Sequence, residues 1–166
     1  MPATYEPITT TTLTGTTNAV TFSSLGLYTD IVMVINQKAG ASGGYELQFR
    51  INGDTGTNYS WARILATPTN ATDAAMANSQ TQGRIGDVDT EWQTTIANFM
   101  NYRGSTQKAV LAQTQSVNTP NNVTRTGCYV STFHSTSAVT SITIKVESTG
   151  TFATGSTFTL YGIKAA

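Results

Sequence analysis

Few side chains in this sequence are of the types that do covalent chemistry. His134 is the single histidine and Cys128 the single thiol. On one strand, six residues apart, they would share a face yet lie roughly 20 Å from each other at about 3.3 Å per residue. That is too far for a nucleophile and its base. Ser131, three residues before His134, would point to the opposite face. A triad assembled from other strands is defined by geometry, so spacing along the chain does not address it. One His and one Cys would leave two zinc ligands to be found among carboxylates. The expectation is therefore no catalytic set, no metal and no cofactor.

The run Asn52-Gly53-Asp54-Thr55-Gly56-Thr57-Asn58 has the oxygen-rich look of a calcium turn, with Asn52, Asp54 and Asn58 as the candidate ligands. It brings one carboxylate, where calcium loops bring several at alternating positions. The competing reading is a turn held by Asn and Asp side chains on nearby backbone. Asp87 and Asp89, with Asp73 upstream, could join it only if the fold gathers those loops. As a carboxylate pair for glycoside cleavage, nothing marks Asp87 or Asp89 as buried. Trp61, Trp92, Tyr45, Tyr59 and Tyr102 could form a sugar-stacking platform, against the commoner use of aromatics as core or subunit interface. Arg50, Arg63, Arg84, Arg103 and Arg125 are scattered among polar neighbours and read as solvated or rim contacts rather than a phosphate grip.

The elements that would position these groups read as strands. Tyr45, Leu47, Phe49 and Ile51 alternate with Glu46, Gln48 and Arg50, giving one wet face. Asn52 to Asn58 turns the chain, and Tyr59, Trp61, Arg63 and Leu65 resume opposite Ser60, Ala62 and Ile64. The spacing predicts two antiparallel strands joined by that loop. Ile31 to Ile35 is a continuous apolar run rich in β-branched residues, expected to be covered on both faces. Residues 1–18, with Ile8 and Leu13 around Thr9 to Thr12, are an N-terminal strand or an arm laid over a neighbour, with Pro2 and Pro7 pointing to an edge. Residues 19–166 form a single domain.

Ala19 to Phe22 is a short strand. Thr67 to Gly83 lacks alternation and reads as a surface excursion with a helical turn at Asp73 to Met76. In Glu91 to Tyr102 either parity could be core. Arg103-Gly104-Ser105 then turns the chain into Lys108 to Gln115, and Asn118 to Asn122 turns it again. Gly127 to Phe133, Ile142 to Val146 and Phe158 to Ile163 close the chain. Phe49, Ile51, Ile142, Ile144, Phe158 and Leu160 are the expected core. The result is an all-β antiparallel sandwich or jelly roll of nine to ten strands.

Composition agrees. A chain of 166 residues is one domain by length. Charged residues make up 11%, far below the usual quarter, while threonine alone is roughly a fifth of the chain. Hydroxyls and amides must therefore cover the surface, and β-branched Thr suits the open side of a pleated sheet. Nine basic and nine acidic residues cancel, which removes the electrostatic case for nucleic acid or an anionic membrane. A neutral, weakly charged surface gives little protection against self-association and suits a subunit of an assembly. The start lacks the basic and apolar regions of a signal peptide, and no apolar run approaches the length of a membrane span.

Three segments carry a resemblance: Met1-Pro2-Ala3-Thr4-Tyr5-Glu6-Pro7-Ile8, Phe49 to Ser60, and the closing Gly155-Ser156-Thr157-Phe158-Thr159-Leu160-Tyr161-Gly162-Ile163-Lys164-Ala165. Together they resemble small virion structural proteins of tailed bacteriophages. That resemblance implies a β-sandwich or jelly-roll subunit, expected to be trimeric, that decorates the capsid as a cement protein or forms part of a head or tail fibre. It implies partners in further copies of itself and in the major capsid protein or another virion protein. It places the chain on the virion after synthesis in the host cytoplasm, and no catalytic residue carries over. Thr9, Thr10, Thr11 and Thr12, with Tyr59 and Trp61, are the expected interface. A fibre that recognises host surface glycans is the alternative, favoured if Trp61 or Tyr59 stands exposed in a groove.

Overall fold

The structure is a computed structural model and describes residues 5–66, 72–118 and 123–164. Twelve strands are described: β1 (Tyr5–Thr12), β2 (Ala19–Phe22), β3 (Asp30–Gln37), β4 (Tyr45–Ile51), β5 (Tyr59–Ala66), β6 (Thr72–Gln80), β7 (Gly83–Val88), β8 (Gln93–Phe99), β9 (Lys108–Asn118), β10 (Val123–Phe133), β11 (Ile142–Val146) and β12 (Thr157–Ile163). They make two packed antiparallel sheets. One has eight strands in the order β1-β12-β3-β8-β9-β10-β5-β6, the other four in the order β2-β11-β4-β7. The fold is a β-sandwich.

The two inner faces interdigitate as alternation requires. Phe49 and Ile51 of β4, Ile142 and Ile144 of β11, and Phe158 and Leu160 of β12 are all fully buried. Phe49 meets Phe99 and Tyr59 edge-on, at 5.4 and 5.9 Å between ring centres. Those geometries favour aromatic pairs over a face-to-face sandwich. In β8 the ambiguity of parity resolves in favour of Gln93, Thr95, Ala97 and Phe99, which are buried, leaving Ile96 outward.

Three expectations need correction. First, Tyr45 to Leu65 is not a hairpin, because β4 and β5 lie in different sheets. Ile51 pairs with Ile142, whereas Tyr59 pairs with Phe133. The loop between them is long enough to cross the roughly 10 Å between packed sheets. The Tyr59 hydroxyl ties the corner by accepting the Ile51 N–H at 3.0 Å. Second, the excursion with a helical turn at Asp73 to Met76 is instead strand β6 from Thr72 onward, paired with β5 through Ala62↔Met76 and Ile64↔Ala74. Its Ala-rich composition carries little intrinsic β preference, so pairing with a neighbour decides its state. Residues 67–71 of that excursion, and 119–122 of the expected turn after Asn118, lie outside the described residues.

Third, the strands among the described residues number twelve rather than nine to ten, and β7 is one that alternation hides: all six of its residues are buried. Gly83 is needed there because a Cβ would stand 2.2 Å from the Phe49 ring. As an edge strand β7 would expose unpaired backbone. Ser131 of β10 covers that edge, its hydroxyl accepting the Arg84 N–H at 3.1 Å and donating to the Arg84 carbonyl at 2.7 Å. The segment with Thr9 to Thr12 is β1, an edge strand of the large sheet, paired through Thr12↔Thr157 and Thr9↔Leu160. Leu13 packs against the core.

Candidate functional site

The densest set of functional groups sits between the sheets under β7. Arg84 Nη1 donates to Glu46 Oε1 at 2.5 Å, and Nη2 donates to Asp87 Oδ1. Asp87 Oδ2 accepts the Tyr129 hydroxyl at 3.1 Å and lies 3.3 Å from Arg125 Nη2. The Arg84 guanidinium also lies over the rings of Trp61 and Tyr129, at 5.2 and 5.7 Å from their centres. Two arginines thus face two carboxylates, and both Asp87 oxygens carry donors. Burial works against the Arg84 charge, but the Asp87 and Glu46 carboxylates outweigh it and hold its pKa above the ordinary value. Burial, and then the Asp87 charge, push the Tyr129 phenol upward. Such a cluster fixes β7 against β10 and β5 and leaves Asp87 fully engaged. Arg84 is therefore not the solvated group its polar neighbours predict.

The other carboxylates stay apart from it. Asp73 on β6 accepts Arg63 Nη2 at 2.6 Å, and Asp89 accepts the Thr90 N–H at 2.8 Å. Among the described residues no three His, Cys, Asp or Glu side chains gather at one point. The loop residues Asn52, Asp54 and Asn58 do not converge their oxygens either. Asp54 accepts the Gly56 N–H at 2.9 Å and the Asn58 amide at 3.0 Å, so N–H donors face its carboxylate. Asn52 turns away, its Oδ1 accepting the Thr140 N–H at 2.7 Å and its amide donating to the Ala138 carbonyl at 2.9 Å. This is a turn in which Asn and Asp side chains bond to nearby backbone, with Asn52 and Gly53 at positive φ of 54° and 68°.

One contact escaped spacing along the chain. His134 Nε2 lies 2.9 Å from Ser60 Oγ on β5, and its Nδ1 lies 3.3 Å from Gln107 Oε1. Pairing of β5 with β10 brings together residues 74 apart. Two of a triad's three positions are present, but the third is a carboxamide, which orients the ring without the charge that stabilises an imidazolium. His134 and Gln107 are exposed. Ser131 is buried at the β7 edge, and Cys128 stands outward in mid-sheet.

The aromatic residues divide. Tyr59 was expected at an interface and is instead completely buried, stacked on Phe133 at 4.9 Å, with burial pushing its phenol up to about 12. It cannot meet a partner. Trp61 is half-buried beneath Arg84, Tyr102 is buried with its hydroxyl donating to the Gly26 carbonyl at 2.8 Å, and Tyr45 is half-buried. Trp92 alone of the platform set is exposed, beside a shallow cleft of about 370 Å³ bordered by Thr94, Gln115, Ser116 and Thr124.

The outward face of the large sheet is the remaining feature, and register builds it directly. One row runs Asn98, Leu111, Val130, Ala62, Met76 across β8, β9, β10, β5 and β6; the next runs Ile96, Gln113, Cys128, Ile64, Ala74. Met76, Ile64 and Val130 are 70%, 60% and 49% exposed. A third row, Thr94, Gln115, Thr126, Ala66, Thr72, follows. No charged side chain stands in these three rows. Sequence reading set Ile64 and Ala62 opposite the inward residues of β5, but only the pairing of five strands shows that they join one surface. Comparison with protein-family models, with curated proteins and with solved structures gives no match, so this reading of the site rests on its own geometry.

Proposed function

We propose that the chain is a non-enzymatic structural protein of a tailed-phage virion: a capsid decoration subunit that stabilises the head by binding its shell symmetrically, as a homo-oligomer. The observation that carries this reading is the uncharged apolar face of the eight-stranded sheet, with Ile64, Met76 and Val130 standing in water. Exposed apolar surface that is continuous over several strands marks an interaction site on a small domain. A decoration protein works through many modest contacts, which closed symmetry multiplies. The test is to mix the purified chain with empty shells and count bound copies after sedimentation. Saturation at copies on the order of hundreds per shell, together with greater heat resistance of the shell, is the expected outcome. A stained gel of virions showing only a few copies overturns it.

The fibre reading keeps one observation in its favour. Trp92, with the hydroxyls and amides of Thr94, Gln115, Ser116 and Thr124 around it, has the ring and polar rim that a saccharide would stack on. Glycan binding that disappears in Trp92→Ala, in a protein of low copy number, would favour it over decoration.

A further inference from the structure

We propose that the outward face of the eight-stranded sheet is the docking surface for a second copy of this chain, with Leu111, Val130, Ile64 and Met76 as its apolar contacts on β9, β10, β5 and β6. The inference deepens the reading of the chain as an assembly subunit and rests on it.

The uncharged character extends beyond the five strands that carry the apolar rows. Val34 is paired with Ile96, Thr159 with Val34, and Thr10 with Thr159, so the middle row continues to the far edge of the sheet. Eight strands at about 4.8 Å, by three rows at about 6.8 Å, give a footprint of roughly 800 Å², close to the ~800 Å² per partner that a stable interface takes. Its apolar residues lie on β9, β10, β5 and β6, and threonine hydroxyls flank them along the third row and at the β12–β1 end.

Charge decides the occupant. A partner with an ionic surface would have to bury its charges against groups that cannot pair them, which is costly. A copy of this face brings no charge, and the chain as a whole is neutral, so two copies do not repel. In a two-fold contact the same patch meets itself. The polar groups among the apolar ones suit this, since the amide of Gln113 and the threonine hydroxyls both donate and accept.

Cys128 reports on this surface, lying in the middle row between Gln113 and Ile64. The experiment follows its reaction with a disulfide reagent, alongside sedimentation velocity, on the full chain from about 1 to about 100 µM, a range bracketing modest affinity. The expected result is a species heavier than 17.6 kDa and thiol reactivity that falls about tenfold as concentration rises. Val130→Lys and Ile64→Lys, both at exposed positions, should sediment as single chains with thiol reactivity independent of concentration and an unchanged circular dichroism spectrum. Thr21→Lys, on the exposed face of the smaller sheet, should associate like the wild type. A wild type that stays monomeric overturns the proposal, as does association unchanged by both lysines, or association that leaves Cys128 fully reactive. Monomers that still bind phage shells would overturn this assignment and leave the virion reading standing. Association through this face without shell binding would uphold the assignment and remove that reading.

Discussion

Two regions of this molecule reverse the usual placement of charge. At the β7 edge the buried Arg84 and Asp87 are drawn together with the partly exposed Glu46 and Arg125 and with Tyr129. On the open side of the large sheet, between β8 and β6, Ile96, Leu111, Val130, Ile64 and Met76 stand in water without a charged neighbour in their rows. The difference is one of completion. The interior charges have each other, so the free energy available from them is already realised in the fold. The outer face still has apolar area to remove from water, worth about 25 cal/mol per Å². Groups that look reactive in the sequence thus serve structure, and residues that look like filler form the surface with most to gain from a partner.

The largest effect should come from breaking the interior set. Asp87→Ala leaves Arg84, Arg125 and the Tyr129 hydroxyl without their shared acceptor, and loss of one partner from a buried ion pair costs about 3–5 kcal/mol. Urea unfolding should show a midpoint lowered accordingly at every protein concentration. A change below about 1 kcal/mol would mean that water already reaches the cluster.

Alkali should act next. Tyr59 and Tyr129 have phenol pKa values raised by burial in the folded state, Tyr59 to about 12. A group whose folded pKa is raised contributes stability in full below its unfolded value near 10 and loses it as pH climbs through the folded value. Stability should therefore fall between about pH 10 and pH 12, by of order 2 kcal/mol for Tyr59 alone. Absorbance at 295 nm should show both phenols ionising only as the fold opens, and Tyr59→Phe should move the alkaline transition to higher pH.

Smaller still is the corner loop. Asp54→Ala removes acceptors for the Gly56 N–H and the Asn58 amide in a partly exposed turn, which should cost about 1 kcal/mol. Calcium or EDTA should leave the thermal midpoint of the wild type unchanged; a rise with calcium would restore the ion reading of Asn52, Asp54 and Asn58. Smallest on the isolated fold is Val130→Lys, expected within about 0.5 kcal/mol because the site is exposed. Its weight falls on association instead, which sharpens the contrast between the two regions.

Period-2 alternation makes β4, β11 and β12 legible in the sequence, and with them Phe49, Ile51, Ile142, Ile144, Phe158 and Leu160 as core. It could not say which sheet a strand joins. Tyr45 to Ile51 and Tyr59 to Leu65 alternate alike whether they pair with each other or part at Asn52 to Asn58. β6 was lost because Ala74, Ala75 and Ala77 have no bulk to mark a face. β7 was lost because Arg84 and Asp87 read as solvated, when each is the other's reason for being buried. The outer surface was invisible for a simpler reason: Ile64, Val130 and Leu111 are far apart in the chain and meet only through strand register. The Ser60 to His134 contact was missed in the same way.

The central claim is that free energy left unrealised on the outer sheet face is recovered between copies of the chain. The most direct measurement is the urea midpoint of the wild-type protein over about a hundredfold range of protein concentration, because association with the native state makes apparent stability depend on concentration. The account predicts a midpoint that climbs with concentration in the wild type and in Asp87→Ala, and stays level in Val130→Lys. A wild-type midpoint that does not move over that range would contradict it.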